Sequence, residues 1–239
     1  VAVLRDVTTM RRLERMRQDF VANVSHELRT PISVVSANSE TLLDGALSDV
    51  EFAPKLIKAV HRNAERLTLI VNDLLDLSRL EAGSYSLLSG RVQVARIAER
   101  VVQSLQEKAD AKGSKVEIDI DASLAVMTDE AALFQVLVNY LENAIKYTPK
   151  GSTITLIASR RKNKIRTEVR DNGPGIPTEY RNRIFERFFR IDPGRSREMG
   201  GTGLGLAIVK HLVEAMGGRV GVQEVQPTGC SFWLDLPRA

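Results

Sequence analysis

Aromatic residues are scarce in this chain, 5% of 239 positions with a single tryptophan, Trp233. Any core it forms is therefore mostly aliphatic. Cysteine is scarcer still. One residue, Cys230, excludes an internal disulfide framework and a cysteine-rich zinc site, and suits a reducing compartment. The three histidines, His26, His61 and His211, show no metal-ligand spacing. No apolar run approaches the ~20 residues a membrane span needs. The opening VAVLRDVTTMRRLERMRQDF is too charged for a secretory signal. These absences lead us to expect a soluble, cytoplasmic segment. The lack of an initial methionine suggests a fragment, whose missing upstream part could be membrane-bound.

What is present is globular: 43% hydrophobic and 27% charged residues, enough for one or two domains. The net charge is +4 and the pI about 9.3, which raises nucleic acid as a partner. The basic excess is small. Its two local clusters, Arg160–Lys164 and Arg181–Arg197, read better as a solvated face or an anion pocket, since no helix-turn-helix or zinc-finger pattern accompanies them.

Periodicity divides the chain. Residues 10–43 read as a helix with Met10, Leu13, Phe20 and Val24 on one stripe and Pro31 as a kink. Asp44–Asp49 is a turn. Residues 51–81 carry a seam of Ile57, Val60, Ala64, Leu67, Val71 and Leu74, stepping by 3 and 4. Two helices enclose little core, so the hairpin is expected to pair with a second copy as a four-helix bundle. Beyond Ala82-Gly83-Ser84 the texture changes. Helix 92–112, a strand pair near Val116–Ile120 and Ala125–Met127, and helix Asp129–Tyr147 come first. Strands Thr153–Ser159 and Ile165–Asp171 follow, then helix Leu204–Met216 and strands Arg219–Glu224 and Ser231–Leu236. The fold class is α+β, a helical hairpin followed by a two-layer α/β sandwich.

Five segments carry chemistry. In Ser25-His26-Glu27-Leu28-Arg29-Thr30-Pro31, His26 points off the apolar stripe of Val24 and Leu28 and has an anionic neighbour. A neutral imidazole is a nucleophile, and a carboxylate can take its ring proton. In the helix through Asn143, the residues Asn139, Asn143, Lys146 and Tyr147 share one face. Amide oxygens suit Mg²⁺, and lysine suits phosphate. The turn Asp171-Asn172-Gly173-Pro174-Gly175-Ile176 puts a carboxylate at a strand end, able to accept from an adenine amine. The segment Gly200-Gly201-Thr202-Gly203-Leu204-Gly205 opens a helix, whose N–H groups bind phosphate. It is neither a Walker A loop nor a Rossmann fingerprint. Between these two, Phe185, Phe188 and Phe189 suggest a docking surface as much as a core. Arg187 and Arg190 could reach a phosphate, and Asp192–Met199 reads as a mobile lid.

The ordered set SHELRTP, NYLENAIKYTP, DNGPGI, FERFFR and GGTGLGLAIVKHLVEAMGG resembles the bacterial sensor histidine kinases of two-component systems, over residues 10–237. The phosphate-responsive sensor kinases look closest among the subfamilies. Leu4–Thr8 resembles the tail of a sensor domain. The resemblance implies a signalling helix and sensor tail at 1–18 and a dimerisation and phosphotransfer domain at 19–82. A linker at 83–90 and an ATP-binding domain of the GHKL type at 91–239 would follow. It implies that His26 is the phosphoacceptor, Glu27 its acid/base partner, and Thr30 the holder of a water for dephosphorylating a response regulator. Asn143 would bind Mg²⁺ with Asn139 assisting. Lys146, Tyr147 and Arg187 would contact ATP, and Asp171 its adenine. Gly173, Gly175 and Ile176 would shape the base pocket, and Arg190 would meet the terminal phosphate. Gly201, Thr202, Gly203, Leu204 and Gly205 would form the lid and its hinge. A homodimer and a receiver-domain partner are implied too. The alternatives are an ATPase of the gyrase or mismatch-repair type, which lacks the histidine hairpin, and a degenerate scaffold, which would not keep every motif intact.

Overall fold

The computed structural model describes residues 8–83, 85–192, 194 and 201–239. The sensor-like tail and nearly all of the lid segment lie outside the described residues. The chain divides into two compact units, Val1–Leu74 and Leu75–Ala239. None of the described helices is long and apolar enough to cross a membrane.

The first unit is a helical hairpin. Helix α1 spans Thr8–Leu43 and runs on through Pro31. Helix α2 spans Ala53–Glu81 and continues into the second unit. Between them, Gly45 takes φ 115°, a left-handed value glycine tolerates. Asp49 then caps the entry to α2, its Oδ1 accepting from the N–H groups of Glu51 at 3.0 Å and Phe52 at 2.8 Å. The expected seam is not the one that packs inside the hairpin. Leu56 and Ile70 are buried, two heptads apart, while Ile57 is 50% and Val71 45% exposed. Val60 and Leu67 are half-buried on the shoulder between them. The apolar stripe of α2 is thus wider than one seam, and its Ile57–Ala64–Val71 edge faces outward. At the turn, Leu43, Leu47 and Val50 are also exposed.

The second unit holds a five-stranded sheet ordered β2-β4-β5-β7-β6, with strands β2 Lys115–Asp119, β4 Thr153–Arg161, β5 Lys164–Asp171, β6 Arg219–Glu224 and β7 Cys230–Pro237. Strand β2 runs parallel to β4; the other neighbours are antiparallel. Helices α3 Val94–Lys112, α4 Glu130–Tyr147 and α5 Gly205–Ala215 complete the sandwich. The expected pairing of the strands near 116 and 125 is corrected: β3, Ala125–Asp129, pairs with β1, Ser89–Gln93, in a separate ribbon. Strand β1 occupies what reads as linker, and α3 begins at Val94 rather than at 92.

Helix α4 lies in the core. Leu133, Val136, Leu137, Tyr140 and Leu141 are fully buried, as are Ile154, Leu156 and Val169 of the sheet. Each such aliphatic side chain contributes about 1.5–3 kcal/mol of transfer free energy. Tyr140 is inserted whole, donating its hydroxyl to the Trp233 carbonyl at 3.2 Å, and burial pushes its phenol well above the usual range. The three phenylalanines of the cluster are half-buried. Phe185 meets the Phe232 ring edge-on at 6.5 Å and Phe189 lies 5.8 Å from Tyr180, so two of these rings pack partly within their own unit.

Candidate functional site

In the hairpin, His26 is exposed on α1. Glu27 follows it but lies about a quarter-turn round the helix and is buried. Its Oε2 accepts from Arg66 Nη2 at 3.0 Å across to α2. Thr30, one turn on from His26, donates its hydroxyl to the His26 carbonyl at 3.3 Å.

In the sandwich, strand β5 ends at Asp171, 5% exposed. Its Oδ1 accepts from the N–H of Gly173 at 2.9 Å and of Cys230 at 3.4 Å, and its Oδ2 from the Cys230 thiol at 3.0 Å. This carboxylate is therefore held rigid at the mouth of the glycine turn. Burial, and then the Asp171 charge, push the Cys230 thiol well above its ordinary range, so it remains a donor. Gly175 takes φ 76° beside the Gly229 carbonyl, and Gly229 leaves no room for a side chain against Asp171. Gly229 and Cys230 thus belong to the site, although the sequence reading assigns them nothing. Their one signal was a Gly-Cys pair directly before an alternating strand.

Asp129 starts α4 by accepting from the Ala132 N–H at 2.8 Å. Asn139 and Asn143 are half-buried on that helix. Asn139 donates to the Gln135 carbonyl at 3.0 Å, and its Oδ1 lies where a side chain at Gly205 would stand. The start of α5 therefore rests on the asparagine face of α4. Lys146 Nζ sits 5.2 Å from the Tyr147 ring centre. Thr148, next in line, packs where a side chain on Gly173 would be, 2.9 Å from that Cβ position.

The glycine segment is fastened to the phenylalanine segment. Phe188, at φ 61°, donates its N–H to the Gly203 carbonyl at 2.8 Å, and Gly203 takes φ 77° with no space for a Cβ against Phe188. Arg190 Nη2 donates to the Gly201 carbonyl at 2.6 Å. Thr202 Oγ1 accepts from the buried Leu204 at 3.2 Å. Helix α5 has no side-chain cap at its N-terminus. Arg187 pairs with Glu81 at the end of α2, and His211 lies 3.9 Å from the same carboxylate. The structure thus gathers Asp171, Gly173, Thr148 and Gly175 in one group, and Asn139, Gly205, Gly203, Arg190 and Gly201 in a second joined to it through α4.

Residues 128–239 match the family described as histidine kinase-, DNA gyrase B- and HSP90-like ATPase, and residues 16–83 match the His Kinase A (phospho-acceptor) domain. The chain belongs to the sensor histidine kinases. The sensor histidine kinase WalK of Bacillus subtilis (strain 168) is 34% identical over 239 residues, 99% of this chain and 39% of that protein. The chain thus spans about two fifths of the length of such curated relatives. Among solved structures, full-length ShkA in complex with AMPPNP aligns over 92% of this chain and 46% of its own, at TM-score 0.69 and 32% identity. Histidine kinase AdeS of Acinetobacter baumannii covers 89% and 97%, at TM-score 0.73 and 26% identity.

Proposed function

We propose that this kinase segment moves the γ-phosphoryl group of ATP to His26 and from there to an aspartate of a response regulator, and that it also dephosphorylates that regulator. The observation that carries the reading is the pairing of an exposed His26 in the phosphoacceptor region with a rigidly held Asp171 in the ATPase region. Residues 19–82 are then the phosphotransfer domain and 91–239 the nucleotide domain, with 1–18 leading in from a sensor and 83–90 linking the two.

In this reading Asp171 accepts from the adenine amine, with Gly173, Gly175 and Ile176 walling the base. Lys146 and Tyr147 line the nucleotide. Arg190, with the glycine segment Gly201–Gly205, faces the phosphates, and Arg187 reaches them on leaving Glu81. The uncapped start of α5 offers N–H groups to an anion. Asn143 is the Mg²⁺ ligand, and the donor set fits. Among the described residues no cluster of three or more His, Cys, Asp or Glu could cage a metal. Amide oxygens on one helix face suit an ion that keeps its waters and shares substrate phosphates. Bound there, Mg²⁺ would neutralise phosphate charge. His26 nitrogen attacks the γ-phosphorus as the bond to the ADP oxygen breaks, and Glu27 takes the ring proton once its carboxylate leaves Arg66. Positioning supplies most of the rate. Thr30 holds the water for regulator dephosphorylation. The segment works as a homodimer through the exposed Ile57–Val71 edge, with no nucleic-acid partner, at the cytoplasmic face of the inner membrane.

Incubation with γ-labelled ATP and Mg²⁺ tests the reading. Label that is acid-labile and alkali-stable is expected, lost in His26→Ala while ATP binding persists. Acid-stable label, or label retained in that variant, overturns it.

A further inference from the structure

Helix α4 ends at Tyr147, and its last carbonyls need partners. Ala144 O is satisfied locally, by the N–H of Thr148 at 3.2 Å and the Thr148 hydroxyl at 2.7 Å. The carbonyls of Ile145 and Lys146 are served from another helix. Lys112, the last residue of α3, donates its ammonium to both, to Lys146 O at 2.7 Å. A cation at this point also complements the negative end of the α4 dipole. The Lys112 end of α3 is itself pinned. Gly113 turns the chain at φ 65°, the Lys112 carbonyl accepts from the Gly151 N–H at 3.3 Å, and the Lys115 N–H donates to Ser152 O at 2.9 Å. Lys112 therefore sits on a fixed corner and holds the final turn of α4.

That turn carries Lys146 and Tyr147 and leads into Thr148, which packs on Gly173 beside Asp171. We propose that Lys112, which lies outside every motif of the site, is a positioning residue for nucleotide binding. It fixes the end of α4 against the Asp171 turn by capping Ile145 and Lys146. This rests on the ATP-site reading above. Lys112 is not itself among the residues assigned to the nucleotide; it reaches them through the backbone carbonyls of Ile145 and Lys146. Methionine keeps most of its length but has no donors, and arginine keeps charge and donors.

The test measures autophosphorylation against ATP concentration for Lys112→Met and Lys112→Arg, with melting temperatures and amide exchange across 145–150. We expect Lys112→Met to raise KM for ATP about tenfold with kcat at saturation nearly unchanged, as a loss of binding requires. Exchange at 145–150 should quicken, and Lys112→Arg should restore most of both. An unchanged KM in Lys112→Met overturns the inference while the ATP-site reading stands. So does a joint loss of KM, kcat and melting temperature that arginine does not rescue, which would make Lys112 merely structural. Absence of ATP binding by the unmodified protein defeats the ATP-site reading first, and this inference with it.

Discussion

Glu27 turns its carboxylate 3.0 Å from Arg66 inside the hairpin, while His26, its neighbour in the chain, faces outward. The acid next to His26 in sequence is thus held in an ion pair between α1 and α2. Removing one partner of a buried pair leaves an uncompensated charge and costs about 3–5 kcal/mol. Arg66→Met should lower the hairpin's melting temperature sharply, and adding Glu27→Leu should recover much of it. Glu27→Gln should slow self-labelling, by as much as 10²–10⁴-fold if the carboxylate takes the ring proton. A Glu27→Gln variant that labels at the normal rate assigns Glu27 to hairpin stability alone.

The role proposed for Thr30 separates two opposed activities and can be tested on one variant. Its hydroxyl now bonds the His26 carbonyl, yet it is exposed and can exchange that bond for a water. Thr30→Ala should keep most self-labelling and lose most regulator dephosphorylation. If both rates and the melting temperature fall together, the hydroxyl serves only the helix backbone.

The two edges of α2 should respond differently to charge. Ile70 is buried inside the hairpin, so Ile70→Asp should unfold it, as read by circular dichroism. Ile57 and Val71 are half exposed, and as a contiguous apolar edge they need a cover. Ile57→Asp with Val71→Asp should keep helicity and yield monomers by light scattering. Wild-type monomers at micromolar concentration would contradict the dimer.

Much of this organisation was legible in the sequence, and the misreadings have physical causes. The helix ends near Leu43, Glu81 and Tyr147 follow from turn residues and caps. The α2 seam was misplaced because Leu56–Ile70 and Ile57–Val71 are equally apolar heptad edges, and periodicity alone does not say which meets α1. Strand β1 was missed because Ser89-Gly90-Arg91 has little strand propensity; its pairing with β3 supplies the stability. The β2–β3 pairing failed because adjacent short strands suggest a hairpin, whereas β2 pairs in parallel with β4, across α4 in sequence. Within the candidate site, Asp171 and the glycines were readable as a motif. Cys230 lies 59 residues from Asp171, and only the fold reveals their hydrogen bond.

Alkaline pH should destabilise the ATP-binding domain. Burial raises the Cys230 thiol above its ordinary 9.0 and the Tyr140 phenol above its ordinary 10.0. The folded state keeps those protons after the unfolded chain has lost them. Their contribution is full below pH 9 and declines as pH rises beyond it, by up to about 1.4 kcal/mol per pH unit for each group. Cys230→Ser, which does not titrate there, should show a later decline in chemical denaturation series at pH 8–11. Parallel profiles for the two proteins would refute the assignment.

A side chain at Gly205 should disturb the asparagine face. Gly205→Ala places a methyl group against Asn139 Oδ1, so the Asn139 amide or the start of α5 has to shift. ATP affinity should fall at least about tenfold in calorimetric titration, with the melting temperature little changed, because either shift is local. Normal affinity would show that the contact between Gly205 and Asn139 is incidental.

Strand β7 is the last element in chain order, yet it sits between β5 and β6 in the sheet and delivers Gly229 and Cys230 to Asp171. A chain cut before residue 229 would therefore keep Asp171, Gly173 and Thr148 but lose the N–H and the thiol that hold the carboxylate from the far side of the turn. The last strand in sequence thus fixes a side chain that lies 59 residues earlier.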